Sequence, residues 1–244
     1  MKLKNETLSK NFLIYGFGKS GISSLKYLKK KNRCFIFDDD KKKIKNKYKK
    51  FFISKSKLLN NNFDYIVISP GININRCQLS NYLKKNQKKV ITDFDIFYKF
   101  NPEVLTITIT GTNGKSTTSK LLYDILKKHH YDTRLTGNIG NPILEEKRVT
   151  KNTIFVIEAS SYQLAYSKYF KSKFSIIINI SPDHLERHNT MKNYVLSKLK
   201  CVIRQNENDV AIITNANLLK DLLSCLLYTS PSPRDRTRSR MPSS

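Results

Sequence analysis

Three stretches of the chain hold residue types whose spacing could do chemistry. The first is Leu105–Thr118, LTITITGTNGKSTT, in which an apolar β-branched run enters a glycine turn and then Lys-Ser-Thr opens a helical pattern to Lys128. Strand, glycine loop and helix in that order make a phosphate cradle. Gly111 and Gly114 let backbone N–H groups turn inward, and a helix N-terminus adds partial positive charge. Lys115 would reach the terminal phosphates of a nucleotide and Ser116 would offer its hydroxyl to Mg²⁺. The loop departs from G-x-x-x-x-G-K-[ST], because Ile109 stands where the first glycine would be. The second stretch is Ile154–Gln163, an apolar strand that delivers Glu158 at its C-terminal end. A carboxylate there, one or two strands from a phosphate loop, suits a divalent cation bridging nucleotide and substrate. The third is Ser181–His188, SPDHLERH, where His184 could ligate a metal or touch phosphate and Asp183 could orient it. A helix over Tyr194–Lys200 could return Lys198 to the same crevice.

A further glycine turn, Gly16-Phe17-Gly18-Lys19-Ser20-Gly21, follows a short apolar run and is answered by Asp38-Asp39-Asp40 at the end of the next one. Taken alone this reads as a dinucleotide-binding fingerprint. Its physics is broader, since its backbone N–H groups suit any diphosphate-linked ligand.

The elements that must position these residues alternate. Strands are expected at Phe12–Tyr15, Cys34–Phe37, Asp64–Ser69 and Val90–Ile91, with a helix over Ser20–Lys30. Later strands are expected at Thr153–Ile157, Phe174–Ile180 and Asp209–Thr214, with helical segments between them. Runs that are apolar throughout, rather than alternating, fit parallel sheets covered by helices on both faces. The lysine-rich Lys41–Lys50 reads as a solvated face or loop. The fold class expected is therefore α/β. A Rossmann-like parallel-sheet domain over residues 1–93 would precede a P-loop-type ATPase domain over 94–224.

Composition narrows the function classes. The 244 residues carry a net charge of +26, which would ordinarily suggest nucleic acid. The lysines are spread along the chain beside abundant Asn and Ile, a codon-bias pattern, so no nucleic-acid partner is expected. Cys34, Cys77, Cys201 and Cys225 show no C-x-x-C pairing, so reduced thiols are expected. No apolar run approaches the ~20 residues of a membrane span. A cytoplasmic protein with no membrane partner and no signal peptide is the expectation. After Lys220 lysine disappears, and four arginines fall within Arg234–Arg240. Residues 225–244 read as a disordered tail, alternatively a basic arm, and most resemble translated sequencing-adapter read-through rather than native chain.

Taken together, TGTNGKST, the GNIG at Gly137–Gly140, EASSYQL at Glu158–Leu164, SPDHLERH and Lys198 occur in an order that resembles the Mur ligases, ATP-dependent amide-forming enzymes of peptidoglycan synthesis. EASSYQL and the SPGI at Ser69–Ile72 look like the branch that adds D-glutamate to UDP-N-acetylmuramoyl-L-alanine. The resemblance implies that Gly18, Lys19, Ser20, Asp38, Ser69 and Gly71 hold the UDP part of that substrate, and that Asn138 contacts its reacting end. It implies an ATP loop made of Gly111, Thr112, Asn113, Gly114, Lys115, Ser116 and Thr117. Ser116, Glu158, His184 and Lys198 would serve Mg²⁺, with Lys198 carbamylated. Lys115, Glu158, His184 and Lys198 would be the catalytic set, in a monomer. Asp39 and Asp40 depart from the neutral or basic residues some members carry there. The family also has a third, C-terminal domain that this chain is expected to lack, which would leave an inactive fragment. The alternatives are a sibling Mur ligase, a folylpolyglutamate-synthase-like ligase, or a non-catalytic nucleotide-binding module.

Overall fold

Short apolar runs separated by amphipathic helices give two parallel sheets in the computed structural model, which describes residues 9–40, 42, 46–214, 219, 221, 222 and 224. The first sheet comprises β1 (Asn11–Tyr15), β2 (Arg33–Phe37), β3 (Tyr65–Ile68) and β4 (Val90–Ile91), in the order β2-β1-β3-β4. Helix α1 (Lys19–Leu28) crosses from β1 to β2, and the short α2 (Lys55–Leu59) and α3 (Ser80–Lys85) flank β3. Every pairing is parallel, with Phe12 opposite both Cys34 and Tyr65. Phe12, Leu13, Ile14 and Tyr15 are each at most 1% exposed, so both faces of β1 are covered, as its unbroken apolar run requires.

The second sheet comprises β5 (Leu105–Thr110), β6 (Thr133–Gly137), β7 (Ile154–Glu158), β8 (Phe174–Ile177) and β9 (Val210–Ile213), in the order β6-β7-β5-β8-β9 and again parallel throughout. β5 is central. The chain leaves it through the glycine loop into α5 (Lys115–Lys128), runs to the edge strand β6, comes back inward to β7 and the short α6 (Ser161–Ala165), and then crosses to β8 and β9 on the other side. Such a reversal of direction opens a crevice beyond the carboxyl ends of the strands. The glycine loop therefore sits where the topology makes room for a ligand.

Helix α4 (Asp93–Phe100) joins the sheets. Thr92 caps it in a reciprocal capping box with Asp95, which satisfies two of the N–H groups a helix start leaves open. Phe94 packs on Phe170 at 5.0 Å between ring centroids, and Phe97 on Phe155 at 4.6 Å. One core thus runs from Phe12 and Ile14 to Phe155 and Ile157. Asp95, fully buried, accepts hydrogen bonds from the backbone N–H groups of Lys168, Tyr169 and Phe170 and from the Ser167 hydroxyl. Both sheets lie in one compact unit that ends at Thr214. The expected boundary at 93/94 falls in the first turn of α4.

Some expectations are corrected. β6 is a strand beyond those expected. Its TRLTG carries one large apolar residue because it is an edge strand whose two fully buried positions are threonines, Thr133 and Thr136. β8 ends at Ile177 rather than Ile180, since the chain turns there to meet the glycine loop. Within Lys41–Lys50, Asn46–Phe51 is a 3₁₀ turn that buries Tyr48 rather than a plain solvated loop. At the far side, β9 pairs only with β8 among the described residues and leaves Val210 44% and Ile212 58% exposed. Cys34, Cys77 and Cys201 are free thiols. Cys225 and the expected tail over 225–244 lie outside the described residues. Among the described residues no helix is long and apolar enough to cross a membrane.

Candidate active site

The first glycine turn is shaped by contact with β3. Gly16 has φ +90, and a Cβ there would lie 2.7 Å from the Ser69 Cβ. Only glycine accepts both that dihedral and that closeness. The Ser69 hydroxyl donates to the Gly16 carbonyl at 2.6 Å, which locks the turn to the start of Ser69–Ile72. Asp38, 5% exposed, accepts from the Phe17 N–H at 2.6 Å and from the Asp40 N–H at 2.9 Å. Asp39 accepts from the Tyr15 hydroxyl at 2.6 Å. Ser20 donates to Asp93 at 2.7 Å, and burial holds the Asp93 carboxyl above the usual carboxylate range.

These groups line a cavity of about 570 Å³ whose walls come from both sheets. All the residues expected on the sugar-nucleotide side, Gly18, Lys19, Ser20, Asp38, Ser69, Gly71 and Asn138, lie on it. Gly18 has open space where a side chain would be.

The second glycine loop is held from below. Gly114 caps α5 with φ +80. The Asn179 side-chain oxygen accepts from the N–H groups of Thr112 and Asn113 at 3.0 and 2.9 Å, and its amide donates to the Asn113 carbonyl at 3.1 Å. The Thr112 hydroxyl lies 3.0 Å from the Tyr194 hydroxyl and donates to the Ser181 carbonyl at 3.1 Å. Asn113, Gly114, Ser116 and Thr117 are exposed. Lys115 curls back, donating from Nζ to the carbonyls of Gly111 at 3.0 Å and Thr112 at 2.6 Å.

Lys198, on α8 (Met191–Leu199), is 1% exposed and donates to the same Gly111 carbonyl at 2.7 Å. Burial first, then the charge of Lys115, pushes its ammonium down to about 7. Glu158 is fully buried. One of its oxygens accepts from the Asn138 amide at 2.7 Å, and the other has no hydrogen-bond partner. An unmatched buried carboxylate oxygen is costly unless a cation or proton meets it.

His184 sits in the left-handed region at φ 53 as the cap of the short α7 (Leu185–His188), with Asp183 Oδ2 3.3 Å from its Nε2. Behind it His188 is buried 3.0 Å from the Ser161 hydroxyl. Burial and the neighbouring Arg187, His184 and Lys198 charges lower its pKa to about 4.

Lys115, Asn138, His184 and Lys198 line one smaller cavity of about 200 Å³. Asn138, Ser160 and Tyr162 line both cavities, so the two share a wall. Glu158 reaches this wall through Asn138, while Ser116 and Thr117 remain on the outer turn of α5. Among the described residues no three His, Cys, Asp or Glu side chains converge as a ready metal cage. Sequence reasoning missed Asn179 and Tyr194, which organise the loop. The strand-end position of Asn179, directly after an apolar run, was the available signal.

This arrangement matches known proteins. Residues 109–226 match the Mur ligase middle domain. The chain belongs to the Mur ligase family. It is 35% identical over 228 residues to the UDP-N-acetylmuramoylalanine–D-glutamate ligase of Caldicellulosiruptor bescii, covering 88% of this chain and 49% of that protein. It is likewise 35% identical over 211 residues to the ligase of the same description from Rickettsia bellii, covering 85% and 46%. The chain thus spans about half the length of the curated relatives it matches. The fold agrees with the crystal structure of UDP-N-acetylmuramate:L-alanyl-gamma-D-glutamyl-meso-diaminopimelate ligase from Neisseria meningitides, at TM-score 0.57 and 12% identity over 89% of this chain and 75% of that one.

Proposed function

We infer that this chain supplies the sugar-nucleotide and ATP sites of an ATP-dependent amide ligase that adds D-glutamate to UDP-N-acetylmuramoyl-L-alanine. One observation carries the reading: a lysine-bearing glycine loop lines a cavity whose wall residue Asn138 is held by a buried carboxylate with one unmatched oxygen, and that cavity shares a wall with a second, larger one. The printed function of relatives about 35% identical supports it. Residues 1–93 would hold the UDP part and residues 94–224 the ATP.

In this reading the substrate carboxylate, near Asn138, attacks the γ-phosphorus of ATP. The bond to the β-phosphate oxygen breaks, ADP leaves, and an acyl phosphate forms. The amine of D-glutamate then attacks the acyl carbon, loses a proton, and expels inorganic phosphate as the amide forms. Lys115 would leave the Gly111 and Thr112 carbonyls to meet the β-phosphate and, as it transfers, the γ-phosphate charge, and the α5 N-terminus would help hold the chain of phosphates. Asn138 would orient the reacting carboxylate, since its amide is already fixed by Glu158.

The residues present fit a divalent cation, because Glu158 offers an unmatched oxygen in a site otherwise dominated by amines. Glu158, His184 and Ser116 would hold Mg²⁺, with Lys198 joining them as a carbamate. When bound, Mg²⁺ would supply charge neutralisation between nucleotide and substrate oxygens.

The test is titration of the full chain with ADP and with UDP, each in the presence of Mg²⁺. Two separable sites are expected, and Lys115→Ala should weaken ADP at least about tenfold while leaving UDP unchanged. Equal ADP affinity in the variant would overturn the phosphate-loop assignment.

A further inference from the structure

Arg187 makes contacts that no step of the proposed reaction uses. It sits in α7 one turn after His184, and its N–H donates to the His184 carbonyl at 3.0 Å. Its guanidinium reaches across to the first sheet, where Nη2 donates to the Pro70 carbonyl at 3.0 Å and also to the Ile72 carbonyl. The guanidinium carbon stands 5.2 Å from the Tyr162 ring and 5.6 Å from the Tyr166 ring. Both rings tie into the same two regions. The Tyr166 hydroxyl accepts from the Ile74 N–H at 3.2 Å, while Tyr162 donates to Glu186 at 3.2 Å and lies 4.9 Å from the His184 ring.

The acceptors are backbone carbonyls of the turn that lines the larger cavity, and the donor is fixed in the helical turn that carries a residue of the smaller one. The guanidinium stacks over two aromatic rings while its Nη2 donates to both carbonyls, a stacked placement that a lysine ammonium does not reproduce. Because carbonyls are held, the contact senses the position of the Ser69–Ile72 turn rather than its side chains. Any ligand that shifts or stiffens the turn thereby acts on the His184 segment.

We propose that Arg187 is a positioning residue that couples occupancy of the larger, sugar-nucleotide cavity to the placement of His184 in the smaller one. The inference rests on the reading of those cavities given above. It predicts a segment-specific signature in hydrogen–deuterium exchange of the full chain, with UDP as the probe. In the unmodified chain, UDP should slow exchange in residues 69–74 and also slow it about fivefold in residues 181–188. Arg187→Lys should keep the first effect and lose the second. Arg187→Ala should behave alike, and the lysine variant keeps the test valid if the alanine variant fails to fold. Undiminished protection of 181–188 in Arg187→Lys would overturn the coupling while leaving the cavity assignment intact. No protection at 69–74 in the unmodified chain would instead overturn the cavity assignment, and the coupling with it.

Discussion

The two glycine turns share one plan, strand into loop into helix at the carboxyl end of a parallel sheet, yet their electrostatics are opposite. The Gly16–Gly21 turn is bordered by acids: Asp38 takes its Phe17 N–H, and Ser20 is committed to Asp93. The Gly111–Thr117 loop is bordered by amines, with Lys115 and Lys198 converging on the Gly111 carbonyl. The first turn lies against a cavity of about 570 Å³ with walls from both sheets, whereas four residues of the second loop are exposed. Glycine turns of one shape are therefore turned to different ligands by what surrounds them. A turn bordered by acids suits a ligand recognised largely by hydroxyls and a base. An amine-lined, open loop suits a polyphosphate that arrives with its own counter-ions.

The largest effect should come from breaking the joint between these regions. Asp95→Ala strands the N–H groups of Lys168, Tyr169 and Phe170 in a buried place, so urea unfolding should report a loss of about 3–5 kcal/mol. An effect under about 1 kcal/mol would mean that water or rearrangement replaces the carboxylate. A pair of substitutions sharpens the contrast within the first turn. Gly16→Ala should destabilise by about 1–3 kcal/mol through its dihedral and its clash with Ser69, whereas Gly18→Ala should leave stability near that of the parent and weaken only UDP. Equal melting points for the two variants would break the account of why the first glycine is needed.

A last contrast separates the loops by pH. Folding lowers the Lys198 pKa to about 7 from an ordinary 10.5. Between those values the unfolded chain binds more protons than the folded one, so this residue makes stability rise with pH across that window. Lys198→Met should flatten the rise in denaturation midpoints between about pH 7 and pH 10, and an unchanged slope would place the proton elsewhere.

Much of this was legible in the chain because the site residues sit at strand ends. The apolar runs before Gly16, Gly111 and Glu158 announced three parallel strands, and the topology sets β5 and β7 side by side in one sheet and β1 in the other. β6 was not legible, since an edge strand needs few apolar residues and TRLTG carries only one large one. Asn179, Arg187 and Asp95 were equally hidden. Each acts on backbone groups far away in sequence, and backbone groups leave no trace in residue type. The sequence motifs identified the ligand-facing atoms. The atoms that hold those motifs in place became visible only with the fold.

The Gly111 carbonyl accepts from two amines, that of Lys115 in its own loop and that of Lys198, 87 residues further along the chain. That single oxygen is a natural vibrational reporter. A ¹³C label at this carbon would shift its stretching band whenever either amine departs, so one infrared line would follow the loading of the loop without a dye or a change of side chain.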